Sequence, residues 1–176
     1  MTMIGLRRGR LELAEPSPAW SDMFACERAR IVCAAGGIDI VVEHIGSTSV
    51  AGLLAKPIID IAILLRCESH RDALHAALCS IDYIDRGDKG AGRGHLFVRD
   101  CQPNVRTHHT HVVGHDDPAW SRWLAFRDAL REDARIRAEY ACLKRGLAQR
   151  LGNDRPAYTE AKSAFVAGVV EARALR

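Results

Sequence analysis

Asp60 stands between Ile59 and Ile61 in the stretch VEHIGSTSVAGLLAKPIIDIAILL, residues 42–65. An ionised carboxylate is costly to bury there without a partner. Upstream, a β-branched run ends in Gly46-Ser47. Glycine permits close approach, and a following helix N-terminus carries positive partial charge, so the turn suits a phosphate; an ordinary capped turn is the plain alternative. Lys56 stands at the entrance to the Asp60 strand. A carboxylate beside a phosphate makes sense with a divalent cation between them, and Mg²⁺ or Mn²⁺ shared by carboxylate and phosphate oxygens would give Asp60 its partner. Backbone N–H groups at a strand end would serve otherwise.

The second chemical stretch is RTHHTHVV, residues 106–113. In a strand, His109 and His111 share one face and His108 takes the other. Such a pair can ligate a metal with a third group such as Asp60, bind phosphate oxygens or act as general base. It can equally be a polar sheet surface. His108-His109-Thr110 matches the H-x-T pattern of the 2H phosphoesterases, which need a second copy that is absent here. Val113 excludes the histidine-triad hydrolases. Arg86, Lys89 and Arg93 in the glycine-rich stretch 85–94 could close over an anionic substrate or sit in a flexible hairpin connection. Lys144 and Lys162 could reach triphosphate oxygens or be solvated. Trp120, Trp123, Phe126 and Leu130 have helical spacing and read as core. His44, His70, His75 and His115 carry no signal.

These residues need elements to hold them. GRLELA, residues 9–14, alternates as a short strand, and EPSPAW breaks it. Ser17-Pro18 opens a helix that stops at Gly36-Gly37. Residues 38–45 form a strand, 47–55 a short helix or turn, 58–65 a strand, 68–80 a helix and 81–85 a short strand. Residues 85–94 form a loop, followed by strands over HLFVRD and VRTHHTHVVG. From Pro118 to Leu151 the pattern is helical, and after Asn153–Pro156 a last helix begins at Tyr158. Mixed strands followed by helices predict an α+β fold, or α/β with a helical C-terminal part.

The 176 residues, 48% hydrophobic and 27% charged, suit one compact domain. A net charge of +3 with dispersed basic residues gives no ground for nucleic acid binding. No apolar run approaches a membrane span, and the N-terminus lacks an apolar h-region, so a cytoplasmic protein is expected. The six cysteines, without a C-x-x-C pair, read as buried free thiols in a reducing compartment.

EHIGSTSVAGLLAKPIIDI, together with Arg93, RTHHTHVV, FRDALR, YACLK and YTEAKSAF, resembles the GrpB (UPF0157) family of the nucleotidyltransferase superfamily, over most of the chain. The resemblance implies one domain over 1–176: a nucleotidyltransferase-like mixed sheet with flanking helices over about 1–115, and a helical part over about 116–176. It implies that Gly46-Ser47 is the nucleotide-binding turn and Asp60 the first metal-binding acid. The chain departs from the superfamily at Ala62, where a second acid is usual, and at His109 and His111, where a later strand carries the third. The expected site therefore has Asp60, His109 and His111 as catalytic residues, and Asp60, Glu43 and His111 as metal ligands. Gly46, Ser47, Lys56, Arg93, Lys144 and Lys162 would bind nucleotide. The expected reaction moves a nucleoside monophosphate from ATP or another triphosphate to a small-molecule hydroxyl. Aminoglycosides are one acceptor class, with Asp82, Asp85, Asp88, Asp116, Asp117 and Asp133 to meet their positive charge. A non-catalytic phosphate-binding module is the alternative.

Overall fold

A computed structural model describes residues 4–90 and 92–175, with Arg155 as backbone only; Ala91 of the expected loop lies outside the described residues. The fold is α+β, built on a mixed six-stranded sheet. Its strands are β1 (Leu6–Arg7), β2 (Ile40–Ile45), β3 (Ile59–Leu65), β4 (Ile84–Asp88), β5 (His95–Gln102) and β6 (Val105–Gly114). The order is β2-β3-β6-β5-β4, with β1 paired to the start of β6. β3 and β6 run parallel; β2 with β3, β6 with β5 and β5 with β4 are antiparallel.

Period-two alternation divides the sheet into two faces. Ile59, Ile61, Ile63 and Leu65 of β3 point to one side, where α1 (Ala19–Ala35) supplies Trp20 and Ile31 and α2 (Arg71–Ser80) supplies Leu74 and Leu78. On the other side Leu64 and Val113 pack with Ala119, Trp120 and Trp123 of α3 (Pro118–Glu132). α4 (Ala134–Leu151) and α5 (Arg155–Ala174) complete that layer, with Tyr140 packed against Phe126 and Phe165. Full burial of one such aliphatic side chain contributes about 1.5–3 kcal/mol. None of the described helices is long and apolar enough to cross a membrane.

Six expectations need correction. Residues 9–14 form no strand: β1 lies upstream and takes the place beside β6, while Leu11 N–H donates to Asn153 and Ala14 makes an isolated bridge to Ala55. The strand expected at 81–85 is displaced to Ile84–Asp88, because a turn through Asp82 precedes it. It takes the first part of the expected glycine-rich loop, since pairing of Asp85 with Phe97 and Asp88 with His95 outweighs the local glycine content, with a bulge between. The helical stretch from Pro118 is two helices: Asp133 is extended and its carboxylate accepts from the N–H groups of Arg135 and Ile136, which starts α4 afresh. The last helix begins at Arg155, three residues early, with Pro156 in its first turn. The cysteines are free but exposed, lying on outward faces of helices and at strand ends.

Candidate functional site

The helical layer covers the sheet face that carries Asp60. Asp60 pairs in register with Ile45 on one side and His109 on the other, and Ala62 pairs with Glu43 and His111. Cross-strand partners share a face, so Asp60, His109, His111 and Glu43 all point toward the helices. His108 pairs with Ile59 and turns to the opposite face, where it is buried.

Gly46 ends β2 with φ +68, a conformation that suits glycine. A Cβ there would stand 2.5 Å from Asp60 Oδ2, so the carboxylate occupies the space a side chain would fill. His109 Nδ1 lies 3.1 Å from Asp60 Oδ1 and donates to it. Burial raises the Asp60 pKa, but the His109 hydrogen bond and the surrounding positive charge, that of Lys162 included, outweigh it; the net effect lies below the usual carboxylate value. Asp60 is thus the ionised partner that orients His109.

The turn after Gly46 is a three-residue 3-10 segment, Ser47–Ser49, not a helix with a useful dipole. Its positive charge comes from the C-terminal helices instead. Lys144, only 2% exposed, donates to Ser47 Oγ at 3.0 Å and to the Leu54 carbonyl, and its ammonium lies 4.8 Å from the Tyr140 ring centre. Burial and the neighbouring Lys162 and Arg145 charges bring its pKa down to about 7, against the pull of Asp60. Lys56 and Lys162 lie over the Tyr158 ring at 4.6 and 4.4 Å. Burial also lowers the Lys162 pKa. The expected residues Gly46, Ser47, Asp60, His109, Lys144 and Lys162 therefore belong to one region, with Lys56 beside Lys162 on the same ring.

His111 Nδ1 is 2.9 Å from the Arg93 carbonyl oxygen. A carbonyl only accepts, so Nδ1 carries the proton and Nε2 keeps a lone pair. Burial pushes the His111 pKa down, which keeps the ring neutral. This ring lines a cavity of about 300 Å³ with Gly46, Asp60, Arg122, Trp123, Phe126 and Val170. The Arg93 side chain instead faces an open concavity with Pro156 and Thr159. Trp123 and Phe126 pack as expected of core residues, yet they also wall the cavity; at helical spacing the two roles look alike. Arg122 and Val170 carried no sequence signal, because their placement depends on how α3 and α5 dock.

Glu43 does not join Asp60. Its carboxylate accepts from Arg127 Nη1 at 2.7 Å, and Arg127 also reaches the His44 carbonyl at 3.2 Å. Among the described residues no three His, Cys, Asp or Glu side chains converge to hold a metal ion. Among these residues a protein-only cage is therefore absent, and a lone carboxylate suits only an ion that takes most of its oxygen ligands from elsewhere, as Mg²⁺ commonly does. The aspartates expected to meet a polycation are engaged elsewhere. Asp117 and Asp133 cap helices, Asp85 binds His75 and His95, Asp82 faces Arg30, Asp88 accepts from Gly90 and Asp116 meets His115.

Residues 10–172 match the family described as GrpB protein. The chain is 39% identical over 166 residues to a UPF0157 protein of Pseudomonas aeruginosa, aligning 92% of its own length and spanning 66% of that relative, just under two thirds. The crystal structure of conserved protein GrpB from Enterococcus faecalis is similar with a TM-score of 0.81 at 33% identity, covering 92% of this chain and 96% of that one. The Cid1 poly(U) polymerase with MgGTP bound is similar with a TM-score of 0.54 at 14% identity, over 77% of this chain and 44% of that chain, a likeness of fold alone. The fold is nucleotidyltransferase-like.

Proposed function

The chain belongs to the GrpB family, and from that premise we propose that it transfers a nucleoside monophosphate from a triphosphate, ATP foremost, to a small-molecule hydroxyl. The observation that carries this reading is the meeting of the Gly46-Ser47 turn, the ionised Asp60 and the buried Lys144. Ser47, Lys144 and Lys162 would hold and neutralise the phosphates, with Lys56 and Arg93 at the outer edge. A bound Mg²⁺ or Mn²⁺, held by Asp60 and the phosphates, would offset charge on the transferred group. The acceptor oxygen attacks the α-phosphorus, a new P–O bond forms, and pyrophosphate leaves with the electrons of the broken bond. The acceptor proton passes to an imidazole nitrogen, His111 Nε2 or His109 Nε2. Positioning and charge are what such a transfer needs most, so a sparse site is compatible with it.

Two observations favour a second reading, a non-catalytic phosphate-binding module: Ala62 stands where a second acid would, and Arg127 occupies Glu43. Incubation with α-labelled ATP, Mg²⁺ or Mn²⁺ and a pool of hydroxyl acceptors separates the two. Label transfer with pyrophosphate release, lost in Asp60→Asn, is the expected result. ATP binding with neither product would assign the module reading.

A further inference from the structure

We infer that the cavity between α3 and α5 is the acceptor subsite, and that it takes a single flat aromatic ring bearing a hydroxyl and an anionic group; this rests on the transferase reading above. The phosphate-side donors Ser47, Lys144 and Lys162 are not among the cavity's lining residues, whereas Asp60 and His111 are. The group that meets the phosphate from this side is therefore the acceptor, whose hydroxyl must reach a base.

Size restricts the occupant. The cavity holds about 300 Å³. A cavity of about 150 Å³ suffices for benzene, so one substituted ring fits and a linked multi-ring sugar does not. The lining is largely apolar: Ile45, Trp123, Phe126, Val166 and Val170. Such surface favours a ring over a polyhydroxylated molecule. Trp123 already lies 5.3 Å from the His111 ring, so an incoming ring meets an aromatic wall beside the nitrogen that would take its proton.

Charge fixes the other substituent. Arg122 is the cation of the lining, and its Nη1 lies 3.0 Å from where a Cβ on Gly92 would stand. The absent side chain lets the guanidinium rest against Gly92, itself part of the lining. Asp60 accepts from His109 and faces the phosphate side, which leaves the Arg122 guanidinium as the lining charge open to pair with an anionic substituent. The hydroxyl end then faces Asp60 and His111, and transfer proceeds with the bond changes given above.

The test is equilibrium binding to the full chain without nucleotide, followed by tryptophan fluorescence and calorimetry. 4-Hydroxybenzoate is the probe; 4-hydroxybenzylamine, kanamycin and adenosine are comparators. The expected result is binding of 4-hydroxybenzoate at least about tenfold tighter than of the amine, the scale of one charge-assisted contact. Arg122→Glu, an exposed site that leaves packing intact, should remove or reverse that preference, and Val166→Trp should block both ligands. Equal or tighter binding of the amine or of kanamycin overturns the proposal, as does competitive displacement by adenosine, which would make the cavity a nucleobase pocket. Because no ATP is present, failure here leaves the phosphate-site reading to its own assay.

Discussion

Gly46 and Asp60 are a matched pair, because the backbone of one leaves the space used by the carboxylate of the other. Gly46→Ala would place a methyl 2.5 Å from Asp60 Oδ2 at a φ of +68, so both strain and displacement follow. A loss of about 1–3 kcal/mol in stability is expected, with loss of Mg²⁺-dependent ATP binding, checked by urea unfolding and calorimetry. Lys144 adds a pH dependence. With its pKa brought down to about 7, the ammonium is partly neutral where a bound triphosphate would want it charged. ATP affinity should therefore fall as pH rises from 7 to 9, and binding at pH 8 should take up a proton, visible as a buffer-dependent heat. Lys144→Met should bind more weakly and lose that dependence. His108→Ala, on the far face, should lower stability and spare the site, whereas His111→Ala should slow transfer by roughly 10²–10⁴-fold if its imidazole is the base.

The boundary between α3 and α4 turns on one side chain. Asp133 accepts two backbone N–H groups, so Asp133→Ala should cost about 1 kcal/mol, measured as a shifted urea midpoint with the slope unchanged. This break was not legible because the residues around it, Arg131 to Arg137, are good helix formers and a cap looks like any surface aspartate. The main strands were legible for the opposite reason: β-branched runs between glycine, proline and asparagine turns have few other structures open to them. The site divides along the same line. Gly46, Ser47, Asp60 and the histidines come from neighbouring strands whose alternation is visible in the sequence. Lys144 reaches Ser47 across 97 residues, and Arg122 and Val170 reach the cavity through helix docking, which no local pattern encodes. The pairing of Glu43 is hidden for the same reason, since its partner Arg127 is 84 residues away.

At the scale of the whole molecule, buried histidines make the fold sensitive to acid. The face opposite the site buries His44, stacked on Phe24 at 4.6 Å and bonded to Thr48 at 3.0 Å, and His108, beside Thr107 at 2.8 Å. Burial drives the pKa of each down from 6.5 to about 4. Between those values the unfolded chain binds protons that the folded chain refuses, so stability is full above pH 6.5 and lost as pH falls to about 4. Each ring accounts for about 3 kcal/mol over that window, and the melting temperature should drop steeply through it. The contact between Lys144 and Ser47 carries a different consequence, one of timing. A ribosome delivers the turn and the whole sheet well before the helices that hold its lysines, and domains grow from the N-terminus onward. The newborn sheet thus has an acid beside a turn that lacks Lys144 and Lys162, with only Lys56 and Arg93 at its edge, and should hold phosphate weakly, so the site is switched on by the arrival of the C-terminal helices. In refolding from urea, ATP binding should consequently lag behind the recovery of sheet structure and coincide with the packing of Tyr140 against Phe165.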